Sequence, residues 1–474
     1  MLEERRGILK RYLLGGLLIV AAAISATAVA AFHEVDKIVN ALHQNATLQL
    51  NQYLAQADTG KPQTILIIGS DKRQVGATDF VGGPGRSDTM MLVRLDPSKK
   101  ATALLSLPRD LKVKIPGHGV AKLNEAYADG GVKLTLRTIK QLTGLRINHV
   151  VNVDFRGFRK VIDQLGCVYI DVDRHYYNQG GGYAKIDIPA GYQRLCGPDG
   201  LDYVRYRHDD NDIIRAARQQ GFIRELKSQV GIGKLIDQRD KLIEIFGRYT
   251  QSDIGSQTAV VRLLNLVAAS ATHPLHEIHF TANLGPSFVT ASSSEVHRVA
   301  QEFLGLNQPS TSAGPRSKKG KKHGKRTSRP NGLIDSSASG KQQALQLVSA
   351  GVRGMRIFYP RRITGGSMFV SQPRAYRIFT QHRHYSSYRL VLATGKIGEY
   401  YGLEGTRWKN PPILHSPSST KKMGGRKYMI FTDGSRIRLI AWQTATGTYW
   451  ISNTLSETLS KSQMLGIARS AKPL

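Results

Sequence analysis

The chain has 474 residues and carries 67 Lys and Arg against 35 Asp and Glu, a formal net charge of +32. That length suggests two or three domains, and the charge excludes an acidic surface while suiting polyanionic partners such as anionic lipid or phosphate-bearing polymers. Two cysteines, Cys167 and Cys196, allow at most one disulfide.

Residues 13–32 read LLGGLLIVAAAISATAVAAF, without a charge. At about 1.5 Å per residue they span roughly the 30 Å of a bilayer core. Arg5, Arg6, Lys10 and Arg11 precede the run, and Glu34 and Asp36 follow it. The expectation is a single-pass protein of the cell membrane: residues 1–12 cytoplasmic, 13–32 a transmembrane helix, and the bulk of the chain extracytoplasmic. A cleaved signal peptide competes, but the run is longer than a usual signal core. Export makes a Cys167–Cys196 disulfide expected, with two unpaired buried thiols as the alternative. It also leaves nucleic acid the poorest fit among polyanions.

Residues 33–60 space Val35, Ile38, Val39 and Leu42, then Leu50 and Leu54, at helical intervals, and read as a stalk or a first packed helix. The run 64–69, TILIIG, is nearly continuously apolar, as a strand covered on both faces is. Further strands are expected at 89–95, 101–107 and 149–153, with helices at 122–128, 132–142 and 155–165. This alternation predicts an α/β sandwich. A polar helix over 212–230 and further helices to about 269 follow. Residues 306–344 hold the run RSKKGKKHGKRTSR and read as a basic disordered linker. Residues 345–474 resume strand-like runs at 389–393, 427–431 and 437–444 and read as a small β-rich domain.

The chemistry-bearing residues fall between 69 and 219. Asp71 and Arg73 follow the first buried strand, Arg86 and Asp88 open the second, and Arg109 and Asp110 close the third. Arg205 and Arg207 alternate as on one face of a strand, while Arg215, Arg218 and Gln219 share about one turn of the polar helix. Asp71 and Asp88 could share Mg²⁺ or Mn²⁺, and the arginines are forks suited to phosphate oxygens. Many arginines with one metal suit a pyrophosphate and the charge that develops as a P–O bond breaks. Surface ion pairing is the plainer reading of any single arginine. No P-loop, GxSxG elbow or HExxH motif occurs.

In family order, the stretches ILIIGSDKR, GRSDTMMLVRLDP, ATALLSLPRDLKVKIPGHG, KLNEAYADGG, VVNVDFRGFRKVIDQLGCVYIDV and LDYVRYRHDD…RAARQQ closely resemble the LytR–CpsA–Psr family of cell-envelope enzymes. The resemblance implies an αβα sandwich catalytic domain over residues 61–305. It implies a phosphotransferase that moves a glycopolymer from an undecaprenyl-pyrophosphate carrier onto peptidoglycan as a phosphodiester. Asp71 and Asp88 would hold Mg²⁺, Arg86, Arg205, Arg207 and Arg218 would grip the pyrophosphate, and Arg73, Arg215 and Gln219 would add to that site. Arg109 would stabilise the transferring phosphoryl group, with Asp110 among the candidate bases. An apolar pocket, lined partly by residues 132–165, would hold the prenyl tail, with membrane lipid around it. The chain departs from the family pattern in a Gly-rich insert between Asp71 and Arg86 and in a short run at 208–214. A hydrolase of lipid pyrophosphate, and a non-enzymatic anchored scaffold binding wall polymer, are the competing functions.

Overall fold

The structure, a computed structural model, describes residues 36–37, 39–40, 48–56, 58–70, 87–99, 101–179, 185–206, 210–270, 273–305, 332–370, 372–380 and 382–474. The 13–32 segment, Asp71, Arg73, Arg86, Arg207 and the basic run 316–329 lie outside them. Among the described residues no helix is long and apolar enough to cross a membrane.

The first half is built on a six-stranded mixed sheet. Its strands are β1 (Gln63–Ser70), β2 (Ser87–Leu95), β3 (Thr102–Ser106), β4 (His149–Asp154), and the later β7 (Thr250–Ser252) and β8 (Leu275–Ile278), in the order β7-β4-β1-β2-β3-β8. Strand β1 is antiparallel to β2 and parallel to β4. Side chains alternate across a strand, so the run TILIIG supplies both faces. Leu66 and Ile68 join Met90, Leu92 and Val150 in a core with Leu136 and Ile139 of α1 (Glu125–Thr143). Ile65 and Ile67 point the other way, with Val93 and Val151, beneath Leu263 and Leu266 of the helix Gln257–Ser270. Covering on both faces is what made the run read as a buried strand.

The second face also carries α2 (Phe155–Gln164), α3 (Gly197–Arg205) and α4 (Asp212–Gln229), followed by α5 (Arg239–Tyr249) and α6 (Gln257–Ser270), while α7 (Ser293–Phe303) packs into the core with α1. Asp154 caps α2 by accepting from the Arg156 amide at 2.6 Å, and Asn211 caps α4 by accepting from Ile214 N–H at 3.0 Å. Between α2 and α3 a small hairpin excursion includes β5 (Val168–Val172) and β6 (Gly191–Leu195), and the Cys167–Cys196 disulfide closes its base. The expected bridge is therefore present.

One expectation is decided between its alternatives, and two are corrected. Residues 48–56 pack onto the domain: Leu50 is buried in the main core, Leu48 N–H bonds Ser252 O at 2.9 Å, and Ala55 N–H bonds Ile147 O at 2.8 Å. Arg205 is on no strand but ends α3, because the GPDG turn and Leu201, Tyr203 and Val204 bury one helical face. The linker does not reach 344: a strand at Leu333–Asp335 and α8 (Ser337–Ser349) precede the point where the β-rich domain was expected to start. The polar sequence of α8 hid Ala344 and Leu347, which are its buried stripe.

The C-terminal domain is an eight-stranded antiparallel sheet of β9 (Met368–Phe369), β10 (Arg374–Phe379), β11 (His384–Ala393), β12 (Tyr400–Thr406), β13 (Ser419–Met423), β14 (Arg426–Asp433), β15 (Arg436–Gln443) and β16 (Thr448–Ser452). The order is β9-β11-β12-β16-β15-β14-β13, with β10 also on β11. Helix α9 (Lys461–Ser470), started by a Ser460–Gln463 capping box, seals one face over Tyr388, Trp442 and Ile440.

This domain docks on the first. Tyr192 packs in one buried cluster with Ile378, Ile413, Leu439 and Trp450. Arg389, fully buried, bonds Asp171 Oδ1 at 2.8 Å, and Trp450 Nε1 donates to Asp171 Oδ2 at 3.2 Å. Gly191 has φ +118, and a Cβ there would lie 2.6 Å from Tyr376 Oη, which accepts from Tyr192 N–H. At a second point His276 sits between Asp433 Oδ1 at 3.0 Å and Glu302 Oε1 at 3.3 Å, an arrangement that needs both ring N–H groups. Those two carboxylates push its pKa up to about 10.

Candidate active site

The site forms where β1, β2 and β3 meet the helices of the second face. Strand β1 slips register at its end, so that Gly69 faces Thr89 but Ser70 faces Ser87. Such a slip twists a strand end and re-aims its side chains. Asp88 sits within this irregularity, its side chain 14% exposed.

Three arginines from three elements converge on that carboxylate. Arg109, after β3, bonds Asp88 Oδ1, and Arg205, at the end of α3, lies 3.4 Å from Oδ2. Arg215, on α4 and 3% exposed, adds a third charge from below and pairs with Asp212 at 2.9 Å. Burial pushes the Asp88 pKa up, but Arg109, then Arg215 and Arg205, together outweigh it and hold the carboxyl below its usual range. Asp88 therefore remains an anion at neutral pH. Burial holds Arg215 below the usual guanidinium range, opposed by Asp212.

A second tier positions Arg109. Asp212 Oδ2 accepts the Asp110 amide at 2.8 Å, and its Oδ1 lies 3.9 Å from Arg109 Nε. Asp110 Oδ1 lies 3.8 Å from the same nitrogen and 3.5 Å from Lys122 Nζ. Neither Arg109 Nε nor Arg205 Nε, both buried, has a hydrogen-bond acceptor among the described residues. Buried N–H groups are normally satisfied, so both donors are open to an acceptor beyond the described residues.

Not every expected residue joins this cluster. Arg218 is 0% exposed and is used internally: Nη1 donates to the carbonyls of Tyr203 at 2.8 Å and Tyr206 at 3.0 Å, Nη2 pairs with Asp210, and the Tyr176 ring lies 4.5 Å away. It ties α4 to the end of α3 rather than offering an open fork. Gln219 does reach the site, donating to Thr89 Oγ1 at 2.9 Å and Val204 O at 3.2 Å. Asp71, Arg73, Arg86 and Arg207 fall outside the described residues.

Sequence reasoning gave no role to Lys122 or Phe155, and left Asp212 without one. Lys122 opens the quoted stretch KLNEAYADGG, which was the available signal. Phe155 follows β4 directly, and its ring centroid lies 4.2 Å from the Arg205 guanidinium.

Gly69, Thr89, Arg205 and Gln219 are also the polar rim of an apolar cavity of about 280 Å³. Its walls include Ile67, Met91, Phe158, Leu201 and Phe222, and Phe246 closes part of it from α5. Of the region 132–165 expected to line a tail pocket, this cavity takes residues 153–162 but not 132–143, because α1 lies on the opposite face of the sheet. The arrangement can take a molecule with an anionic head and a hydrocarbon body.

The site lies on a mixed α/β domain that is followed by a β-rich domain. The chain belongs to the LytR_cpsA_psr family, whose sequence profile matches residues 25–298. It is 28% identical over 314 residues to the polyisoprenyl-teichoic acid–peptidoglycan teichoic acid transferase TagU of Oceanobacillus iheyensis, covering 62% of this chain and 93% of that one. Over 194 residues it is 34% identical to the regulatory protein MsrR of Staphylococcus aureus, covering 40% of this chain and 56% of MsrR. The solved structure of Bacillus subtilis TagV aligns with a TM-score of 0.42 and 27% identity, over 52% of this chain and 99% of that one.

Proposed function

We propose that this protein transfers a glycopolymer from an undecaprenyl-pyrophosphate carrier to peptidoglycan, forming a phosphodiester outside the membrane. The observation that carries this is the junction of two unlike surfaces: a three-arginine cluster around a buried anion, opening directly onto an apolar cavity. A polyprenyl pyrophosphate has that same division. TagU, similar along 62% of the chain, is named a polyisoprenyl-teichoic acid–peptidoglycan teichoic acid transferase, which supports the reading.

The pyrophosphate would lie across Arg109, Arg205 and Arg215, with the unfilled Nε donors of Arg109 and Arg205 taking phosphate oxygens. Arg109, fixed by Asp110 and Asp212, would face the phosphoryl group whose charge grows as its bond to the carrier phosphate breaks. An acceptor sugar hydroxyl forms the new O–P bond, its proton passes to Asp110, and polyprenyl monophosphate leaves.

The donor chemistry fits Mg²⁺. Asp88 is a hard oxygen ligand held ionised, and Asp71, one residue beyond β1, would be the second carboxylate. When bound, the metal would offset charge on the phosphate oxygens. The arginines already engaging Asp88 would then turn to the substrate.

The test uses purified full-length protein with lipid-linked glycopolymer, peptidoglycan oligosaccharide and Mg²⁺. A covalent polymer–glycan product is expected, and Arg109→Ala should reduce its rate about a hundredfold or more. Phosphate release without that product would make the protein a hydrolase. An unchanged rate in both Asp88→Asn and Arg109→Ala would overturn the site.

A further inference from the structure

The exposed face of α6 has no role in the transfer just described. Val261, Leu264 and Val267 are 39%, 46% and 46% exposed, at intervals of three along one helix. The adjoining stripe of the same helix, Val260, Leu263 and Leu266, is packed into the domain. A surface helix normally turns polar residues outward beside its packed stripe, so a second, exposed apolar stripe calls for a second partner.

Two observations identify that partner. The first is where the chain enters. Asp36 accepts from Gln257 Nε2 at the start of α6, Lys37 lies 3.7 Å from Asp240 of α5, and Val39 packs with Ile254 and Val260. The uncharged run 13–32 ends four residues before Asp36, a reach of at most about 14 Å. If that run is the anchor, α6 is held next to the place where the chain leaves the bilayer.

The second is the continuity of the apolar layer beneath. Ile67 lines the 280 Å³ cavity and packs against the same buried cluster as Leu263. Phe246 lines the cavity and packs against the cluster of Ile254 and Val260, as Val39 and Leu263 do. Apolar packing is therefore continuous from the cavity to the helix that carries the exposed stripe.

We infer that α6 lies on the outer leaflet, with Val261, Leu264 and Val267 in the headgroup–acyl boundary. The part of the cavity lined by Ile67 and Phe246 is then on the bilayer side of the domain. This rests on the anchored, polyprenyl-using reading and adds an orientation to it: the face that carries α6 is the one turned to the membrane.

Both native cysteines are in the disulfide, so an introduced cysteine would be the only free thiol among the described residues. Full-length protein in lipid nanodiscs is labelled with an environment-sensitive fluorophore at Leu264→Cys, or at Lys421→Cys on exposed β13 as a control. Half the discs contain lipids spin-labelled at a shallow acyl position. Emission at Leu264→Cys should fall about twofold or more with spin-labelled lipid, since an interfacial helix sinks about 5–10 Å, while Lys421→Cys stays unchanged. Equal quenching at both sites, or none at either, overturns the orientation. A blue-shifted but unquenched Leu264→Cys signal means that a second copy covers the stripe, which also overturns it. Release of the whole protein by alkaline carbonate would instead refute the anchor, so the two failures are distinguishable.

Discussion

Arg389 is the sharpest test of the docking between the two domains. It is fully buried on β11, bonds Asp171 of the first domain at 2.8 Å, and lies 3.9 Å from the equally buried Glu404. Arg389→Met keeps most of the side-chain volume but leaves two carboxylates without their cation. Breaking a buried pair by removing one partner costs about 3–5 kcal/mol, whereas an exposed pair is worth about 1 kcal/mol or less. At about 1.4 kcal/mol per factor of ten, the lower figure is a hundredfold shift toward the open or unfolded state. All three tryptophans, Trp408, Trp442 and Trp450, are in the C-terminal domain, and Trp450 itself bonds Asp171. Urea unfolding followed by tryptophan emission therefore reads the seam directly. The Arg389→Met transition should lose about 3 kcal/mol, and adding Asp171→Asn should return part of it, because one stranded charge is removed. A loss below about 1 kcal/mol would mean that Asp171 and Glu404 are solvated, and the docked arrangement would be wrong.

Two other changes probe the cavity and the second seam contact. Val161 lines the cavity from α2, and Val161→Trp should displace the donor tail. At about 0.8 kcal/mol per buried methylene, losing two raises KM for a long-chain donor about tenfold, and a short-chain donor should be spared. Equal effects on both donors would place the tail elsewhere. His276, raised to about 10 by Asp433 and Glu302, is protonated in the fold well above the pH at which the unfolded chain loses its proton. Its stabilisation is full below about pH 6.5 and is lost as pH rises through about 10. Glu277 and Glu457, which burial pushes up to about 7 and 8, titrate nearby, so the comparison belongs above pH 8. There the wild type should lose seam stability with pH more steeply than His276→Phe, and parallel curves would deny the ion pair.

What the sequence disclosed follows from how local each signal is. The run TILIIG announced a strand covered on both faces, and the spacing of Arg215, Arg218 and Gln219 announced a helix. The candidate-site residues Arg109, Asp88 and Arg205 were legible because each lies near the end of an element, where side chains are free to converge. That Arg218 turns inward was not legible, since it depends on the carbonyls of Tyr203 and Tyr206 at a chain reversal. Arg205 was read as a strand residue because the alternation in YVRYR is the strand period, although the GPDG turn before it starts a helix. The docking of the C-terminal domain left no local trace. Asp171 and Arg389 are 218 residues apart, and each alone looks like a surface charge.

Gly191 bears on how such a chain matures. Its missing side chain leaves a notch that the Tyr376 ring fills, so the first half of the protein is shaped around a residue synthesised much later. Domains generally fold as they emerge, N-terminal part first. Tyr169 and Tyr192 must then wait, wet and apolar, until Trp408 and Trp450 arrive to cover them. The first half is therefore finished only when the last strands are. A chimera with a foreign tail would need to bring its own ring for that notch.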